Sequence, residues 1–242
     1  MNQQHSPVVY IVDDDISVRE SLELMLSSFG MASKTFGSAP EFFGRPQEVR
    51  PSCVVLDIRL PGISGLDLQR RILAERLAIP VIFITAFADV PATVQAMKAG
   101  AVEFLIKPID VEHLMDAVHL AIGYSREALA RTESLRVLQQ RYATLSRRER
   151  QVMSLVTSGL LNKQVGGELG ISEITVKAHR GRVMHKMKAA SLAELVRMES
   201  RLNLAAPLVA ALPSEFKVHD CGRNERGRSL GFSRPIAGFS VD

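Results

Sequence analysis

Residues 53–62 read Cys53-Val54-Val55-Leu56-Asp57-Ile58-Arg59-Leu60-Pro61-Gly62, an apolar run that ends on a carboxylate and is followed by a turn. Three further apolar runs end in the same way on polar residues. They are VVYIV before Asp13, Asp14 and Asp15, VIFI before Thr85, and FLI before Lys107 and Pro108. Short β-rich runs separated by helical stretches indicate parallel strands that are buried on both faces of a sheet. Because ligands bind outside the carboxyl ends of such strands, we expect these acid, hydroxyl and amine groups to lie together at one edge.

The alternation of strand and helix patterns predicts a doubly wound α/β domain over residues 1–122, with a parallel five-stranded sheet. A capping box at Ser17 to Glu20 predicts the start of its first helix. Pro91 suits the first turn of a later helix. In that helix we expect an inward face made of Val94, Met97 and Ala101. Residues 111–122 are expected to form the last helix of the domain.

The second half of the chain shows helix patterns without strands. We assign residues 123–143 to a helical linker, for which a plain exposed helix and a short coiled-coil seam are the alternatives. Residues 144–204 begin with a capping box at Ser146 to Glu149. Two later helices, at residues 162–169 and 173–187, are joined by a short turn that contains glycine. Helix, glycine-containing turn and helix form the pattern of a helix-turn-helix domain.

Residues 205–242 differ from both preceding regions. They carry scattered Gly, Pro, Ser and Arg, which predicts a mostly disordered tail. Packing of residues 204–212 onto a domain is the alternative for the start of this tail.

The charge of the chain is divided between its two halves. Residues 1–125 carry 10 Lys and Arg against 15 Asp and Glu, whereas residues 144–204 carry 11 against 5. This asymmetry indicates a cation-binding module followed by a module that binds a polyanion. The two cysteines, Cys53 and Cys221, indicate no disulfide framework and fit a reducing compartment. No apolar run approaches the roughly 20 residues of a membrane span, and the N-terminus lacks signal-peptide features, so we expect a cytoplasmic protein without a membrane partner.

The acidic strand ends suggest phosphoryl chemistry that depends on a metal ion. Mg²⁺ prefers carboxylate, carbonyl and water oxygens, which two adjacent aspartates and a third from the neighbouring strand can supply. An aspartate carboxylate is a competent nucleophile for phosphoryl transfer and forms an acyl phosphate. The transferring group needs charge neutralisation and alignment, which a metal ion and one lysine can provide.

Residues 7–122 resemble the receiver domain of bacterial two-component response regulators, and the four polar strand ends carry the resemblance. The resemblance implies that Asp57 accepts a phosphoryl group from a histidine kinase. It also implies that Mg²⁺ is held by Asp13, Asp14, Asp57 and the backbone carbonyl of Arg59.

The resemblance further implies a switch around the acceptor. Lys107 would pair with the phosphoryl oxygens, next to a cis peptide bond between Lys107 and Pro108. Thr85 would move to hydrogen-bond the phosphate, and Phe104 would swing inward behind it. Residues 97–108 would lie on the surface through which such receivers form homodimers. Phosphorylation adds about −1.5 to −2 charge, and Thr85 and Lys107 are the groups expected to respond to it.

Residues 144–204 resemble the LuxR-type helix-turn-helix domain of the NarL/FixJ subfamily. The matching residues are Leu145 to Glu149, Gly159, Asn162, Lys163, Gly170 to Ser172, Thr175 to Lys177 and His179. The resemblance implies that the helix at residues 173–187 enters the major groove of double-stranded DNA. The helical spacing of Val176, Val183 and Met187 predicts that these residues face the core. The residues expected to contact DNA are Lys163, Thr175, Lys177, His179, Arg180, Arg182, Lys186 and Lys188.

The second domain departs from the family pattern at small residues. Gly166 and Gly167 lie inside a predicted helix, where each should cost ~1 kcal/mol relative to Ala. Ala178 and Gly181 stand where longer side chains often contact bases. Base discrimination is therefore expected to depend on DNA shape or on two cations, Lys177 and Arg180.

Together these features predict a phosphorylation-activated transcription factor that binds DNA as a homodimer and is not a turnover enzyme. The expected partners are a histidine kinase, double-stranded DNA and a second copy of the chain, with RNA polymerase as a further candidate. The rival hypotheses are an aspartyl-phosphate phosphatase and a regulator whose receiver acts without phosphorylation. A flavodoxin-like cofactor binder is disfavoured, because an acidic first loop repels a cofactor phosphate.

Overall fold

The computed structural model describes residues 6–75, 77, 79–86 and 90–210, with residues 92 and 204–210 described through their backbone alone. Cys221 and the part of the predicted tail beyond Ala210 lie outside the described residues. Residues up to Leu202 belong to one compact unit, and a second unit begins at Asn203.

The N-terminal half contains the predicted sheet. Its strands are β1 (Val8–Val12), β2 (Ala32–Phe36), β3 (Ser52–Asp57), β4 (Val81–Thr85) and β5 (Glu103–Ile106). All pairings are parallel, and the strand order is β2-β1-β3-β4-β5. The order reverses at β1 and β3, which is the switch point where such sheets place their ligand crevice. The predicted doubly wound α/β fold is confirmed.

Helices cover both faces of this sheet. They are α1 (Ile16–Ser28), α2 (Ala39–Gly44), α3 (Gly65–Ala74), α4 (Val90–Lys98) and α5 (Val111–Ala143). In β1, Val8, Tyr10 and Val12 pack with residues of α2, α3 and α4. Val9 and Ile11 point to the opposite face and pack with residues of α1 and α5. Both faces of β1 are therefore buried, which explains why this strand is apolar at every position.

Two local predictions in this half are wrong. Helix α1 begins at Ile16, and its N-cap is Asp15, whose carboxylate accepts a hydrogen bond from the Ser17 amide. The capping box at Ser17 is thus not used, because an N-cap residue earlier in the chain already satisfies the first turn. Val94 and Met97 are 45% and 44% exposed, whereas Ala96 of α4 is buried; Ala101, just after the helix, is buried as predicted. Apolar residues lie on several sides of α4, so periodicity does not select its inward face.

The linker and the last receiver helix form one continuous helix. Helix α5 spans 33 residues, and its N-terminal half packs on the sheet. Further along, Leu138 is buried against Leu145, Met153 and Met187 in the second half of the chain. The C-terminal core therefore begins before the predicted boundary at residue 144, and the end of the linker belongs to it. Burial of Leu138 in this core also removes it from a coiled-coil seam.

Ser125 joins α5 to the beginning of β3. Its hydroxyl is fully buried and accepts a hydrogen bond of 3.0 Å from the Ser52 amide. Replacing Ser125 with Ala should leave that buried amide without its acceptor and lower the free energy of unfolding by about 1–3 kcal/mol. Chemical denaturation of the full chain measures the change. Thr132→Ala, at an exposed position of the same helix, is the control, and an equal effect in both variants would contradict this role of Ser125.

The C-terminal half is helical, as predicted. Its helices are α6 (Arg147–Thr157), α7 (Asn162–Leu169), α8 (Glu173–Met187) and α9 (Leu192–Ala210). Ser146 and Glu149 form the predicted capping box at the start of α6. The predicted core positions of α8 are all buried: Val176, Val183 and Met187. Helix α9 continues through residues 205–210, the first six residues of the predicted tail.

Candidate functional site

Three of the predicted site residues meet at the carboxyl edge of the sheet. Asp13 follows β1, Asp57 ends β3, and Lys107 follows β5. The ammonium of Lys107 lies 2.7 Å from Oδ2 of Asp13 and 3.2 Å from Oδ1 of Asp57. Asp13 and Asp57 are 1% and 6% exposed. One cation therefore joins two buried carboxylates that are distant in the sequence.

Backbone amides hold the remaining carboxylate oxygens. The amide of Arg59 donates a hydrogen bond of 2.7 Å to Oδ2 of Asp57. The amide of Asp15 donates one of 2.9 Å to Oδ1 of Asp13. Since these donors belong to the turns that follow β1 and β3, both carboxylates are fixed in orientation before any ligand arrives.

Two residues that support this site were not predicted. Arg19 donates hydrogen bonds of 2.6 Å and 3.0 Å to the carbonyl oxygens of Asp13 and Asp14, and so holds the acidic loop. Gly65 opens α3 directly against Asp57, where a Cβ atom would collide with the Asp57 carbonyl oxygen. An arginine one turn into the helix after the acidic run was the available signal for Arg19. The need for glycine at position 65 depends on a tertiary contact.

The expected switch residues lie on the neighbouring strands. Thr85 ends β4 and is 2% exposed, and its carbonyl accepts a hydrogen bond of 2.8 Å from the Lys107 amide. Phe104 in β5 is half-buried against the core next to β4. The peptide bond between Lys107 and Pro108 is cis, as expected. β4 and the site lysine are therefore linked directly through the backbone.

The charges of the site depend on one another. Burial raises the pKa of the Asp57 carboxyl group, although the ammonium of Lys107 and the Arg59 amide oppose this effect. Burial also acts to lower the pKa of Lys107, but its hydrogen bond to Asp13 and the charge of Asp57 outweigh that effect and raise it. Lys107 therefore remains an ammonium, and Asp57 depends on it to remain a carboxylate.

The donor chemistry of the site fits a hard cation in part. Among the described residues, no three His, Cys, Asp or Glu side chains are grouped closely enough to form a ready metal site. Asp13 and Asp57 are together, whereas Asp14 is exposed beside them. Two carboxylates with a neighbouring third and nearby backbone carbonyls still make an all-oxygen donor set, which Mg²⁺ prefers.

One of the lysines expected to contact DNA, Lys186, is already held in an ion pair within the protein. The ammonium of Lys186 lies 2.6 Å from Oε2 of Glu149 and also donates to the Thr144 carbonyl at 3.1 Å. Glu149 is buried, and its hydrogen bond to Lys186 lowers its pKa. This ion pair joins α8 to the cap of α6 and gives Lys186 a structural role, and its expected contact with a DNA phosphate stays a prediction.

His179, which is also expected to contact DNA, has a side chain that is partly turned toward the protein interior. It is half-buried, and its Nδ1 atom is buried without a hydrogen-bond partner among the described residues. At least one edge of the imidazole therefore faces protein. Lys188 ends α8 as its C-cap, with a positive φ of 56°.

The other expected DNA residues form an exposed or half-exposed surface at α7 and α8. Lys177 is exposed and pairs with Glu173 at 3.1 Å, and Arg180 donates to the Asn162 side chain at 3.3 Å. The remaining members are exposed: Lys163, Thr175 and Arg182. Exposed surface ion pairs contribute little free energy, so the pairing of Lys177 is easily exchanged for a phosphate. These five residues form the candidate polyanion surface.

Two family models match the chain. The response regulator receiver domain matches residues 9–119, and the bacterial regulatory proteins of the luxR family match residues 143–199. The receiver match contains the Asp13, Asp57 and Lys107 cluster. The luxR match contains the candidate polyanion surface.

Similar proteins cover most of the chain. Nodulation protein W of Bradyrhizobium diazoefficiens is 48% identical over 199 residues, which are 82% of this chain and 88% of that protein. The transcriptional regulatory protein FixJ of Rhizobium meliloti is 44% identical over 190 residues, which are 78% of this chain and 93% of that protein. The solved structure of the response regulator StyR is 44% identical and has a TM-score of 0.72, with 81% of this chain and 99% of that chain covered.

Proposed function

Because this chain belongs to the two-component response regulators of the NarL/FixJ type, which regulate transcription through a receiver and a LuxR-type DNA-binding domain, we propose that phosphorylation of Asp57 controls its binding to DNA. The observation that carries this proposal is the cluster of Asp13, Asp57 and Lys107 at the carboxyl edge of the sheet. Family membership disfavours the phosphatase alternative, since the relatives are regulators and not turnover enzymes.

A carboxylate oxygen of Asp57 is the proposed nucleophile. It forms a bond to the phosphorus of a phosphohistidine in a cognate kinase, while the bond between phosphorus and the histidine nitrogen breaks and leaves the imidazole as product. The Arg59 amide holds Oδ2 of Asp57, and Lys107 lies beside Oδ1. Lys107 is therefore placed to neutralise the charge of the incoming phosphoryl oxygens.

We assign the binding of Mg²⁺ to Asp13, Asp14, Asp57 and the Arg59 carbonyl, where the ion would supply further neutralisation of phosphoryl charge. The side chains of this protein do the rest of the positioning. Arg19 holds the carbonyls of Asp13 and Asp14, which keeps the acidic loop at the edge of the sheet.

The phosphoryl group changes the balance of charge at Lys107. In the unmodified protein this ammonium is shared between Asp13 and Asp57. A phosphoryl group adds about −1.5 to −2 charge, which should draw Lys107 and the Thr85 hydroxyl toward it. Since the Lys107 amide is bonded to the Thr85 carbonyl, both residues respond through β4 and β5, and Phe104 follows. The resulting change on residues 97–108 would favour a homodimer.

DNA binding is assigned to the candidate polyanion surface of α7 and α8. Lys177, Arg180 and Arg182 are proposed to face the major groove, and Lys163 a phosphate. Thr175, near the start of α8, is proposed to contact DNA through its hydroxyl group. RNA polymerase remains a further candidate partner of the DNA-bound dimer. The cytoplasm is the proposed location, because a response regulator must reach both its histidine kinase and the DNA there.

The coupling between the two halves is tested by DNA binding. A DNA sequence is first selected with full-length protein that has been treated with acetyl phosphate and Mg²⁺. Fluorescence anisotropy at fixed salt should then show that treatment raises the affinity for this sequence about 5- to 150-fold, the usual range of allosteric coupling. Protein treated with acetate is the control. Equal affinity in the two samples would favour a receiver that acts without phosphorylation.

A further inference from the structure

The amino-end edge of the sheet, opposite the Asp57 site, carries two arginines with unusual surroundings. Arg45 follows α2, and Arg50 precedes β3. The Nε atoms of both side chains are buried and have no hydrogen-bond partner among the described residues. A buried N–H donor without an acceptor is costly, and in folded proteins such a group usually indicates a bound water or ion. Two such donors occur here within six residues of sequence.

Both arginines line the same small cavity. Its volume is about 70 Å³, and its other polar lining residues are Gln47, Glu48 and Ser52. Since a water molecule occupies roughly 30 Å³ in the liquid, the space suits about two waters or one anion of four or five heavy atoms. The cavity is thus large enough for a carboxylate, phosphate or sulfate group.

The local charge favours an anion over water. Glu48 is the one carboxylate among the described lining residues, and it already pairs with Arg50 and Lys34, each at 2.6 Å. Arg45 has no carboxylate partner among the described ion pairs. Two cations therefore share one carboxylate, and Arg45 adds a further positive charge beside the same cavity. Water could satisfy the two Nε donors but could not balance this remaining charge.

The guanidinium of Arg45 is also held in place before any anion binds. It lies 3.8 Å from the ring centroid of Phe42 and 4.7 Å from that of Tyr10, and it donates a hydrogen bond of 2.6 Å to the Phe42 carbonyl. Stacking on aromatic rings restricts the planar group while leaving its remaining N–H donors free to bind a planar or tetrahedral oxyanion. Little conformational entropy would then be lost on binding.

We propose that Arg45 and Arg50 form a binding site for a small oxyanion at the amino-end edge of the receiver sheet. Leu129 of α5 lines the same cavity, so a bound anion would lie against the helix that continues into the C-terminal core. This site shares no residue with the phosphoryl-acceptor site, and its test is independent of Asp57.

Inorganic phosphate and sulfate are the probes, titrated into the full-length protein at constant ionic strength against chloride. The Nε–Hε resonances of Arg45 and Arg50 in a ¹⁵N-labelled sample should shift together and saturate. The Hε resonance of Arg70, whose guanidinium pairs with Asp67 on the exposed surface of α3, should not follow the same curve. Shifts that stay linear with concentration, or that are equal at all three arginines, would overturn the proposal.

Variants separate an anion site from a water site. Arg45→Gln and Arg50→Gln should each weaken oxyanion binding at least about tenfold, since each removes a positive charge and its charge-assisted hydrogen bonds to the anion. Glu48→Gln should strengthen it, because the competing carboxylate is removed, and Arg70→Gln should leave it unchanged. If Arg45→Gln or Arg50→Gln unfolds, the Glu48→Gln variant still decides: unchanged affinity there would count against the site.

Discussion

Replacing Asp57 with Asn should abolish the labelling of this protein by acetyl phosphate in the presence of Mg²⁺. The side-chain amide of Asn cannot form a stable acyl phosphate. Asp13 also has a backbone amide and Lys107 within hydrogen-bond distance, but the proposed function assigns it to the metal ion, so it should not take up the label in place of Asp57. The label is measured on full-length protein by autoradiography or intact mass. The treatment should also lose its effect on DNA affinity in this variant.

The Asp57→Asn variant should remain folded, so its lost labelling is informative. Burial raises the pKa of Asp57, so the folded protein binds the proton more tightly than the unfolded chain does. The stability that the protonated group contributes is therefore lost as the pH rises from the ordinary aspartate pKa through the raised one. At neutral pH the ionised carboxylate lowers the free energy of unfolding. Asparagine removes that penalty, so we expect a melting temperature at pH 7 at least as high as that of the wild type.

Asp67→Asn is the matched control. Asp67 lies at a solvent-facing position of α3 and pairs with Arg70, away from Lys107. Its substitution should leave labelling unchanged. If Asp57→Asn accepted the label as well as Asp67→Asn did, the acceptor assignment would be incorrect.

Replacing Gly166 with Ala should severely destabilise the DNA-binding half. A Cβ atom at this position would lie 2.7 Å from the carbonyl oxygen of Ile171, in the turn between α7 and α8. The obstacle is backbone, so the turn itself must shift, and overpacking of this kind costs about 1–3 kcal/mol or more. Because this turn sets the angle of α8, DNA affinity should fall with stability. Thermal unfolding and fluorescence anisotropy measure the two effects.

Replacing the neighbouring Gly167 with Ala should have the opposite effect on stability. A Cβ atom at Gly167 would meet no atom within 4 Å. Gly167→Ala should therefore stabilise the helix by about 0.5–1 kcal/mol, because alanine loses less backbone entropy than glycine on folding. The expected cost of glycine relative to alanine stays a prediction for Gly167, whereas the contact with Ile171 gives Gly166 a structural reason. Equal changes in the two variants would contradict the close contact with Ile171.

The sheet and the site cluster were predictable because they depend on local patterns. Strands β1, β3, β4 and β5 are mainly apolar and lead into a polar residue at their carboxyl ends, and parallel topology brings those ends together without further information. Asp13, Asp57 and Lys107 could therefore be grouped from sequence alone. The core face of α8 was predictable for the same reason, since Val176 and Val183 recur at helical spacing.

The features that were missed depend on contacts between distant residues. Lys186 looks like a free cation in the sequence, but its partner Glu149 lies in another helix. Leu138 looks like a linker residue, but it is buried by side chains that follow it in the chain. The close approach of Gly65 to Asp57 and that of Gly166 to Ile171 likewise exist only after packing. No local periodicity carries this information.

The central claim is that a phosphoryl group is carried by the carboxylate at position 57, and chemical mapping of the modified residue tests it most directly. Wild-type protein is treated with acetyl phosphate and Mg²⁺ and then with borohydride, which reduces an acyl phosphate to the alcohol of homoserine. We predict that peptide mass spectrometry finds homoserine at position 57. Homoserine at position 13 or 14, with an unmodified Asp57, would contradict the account.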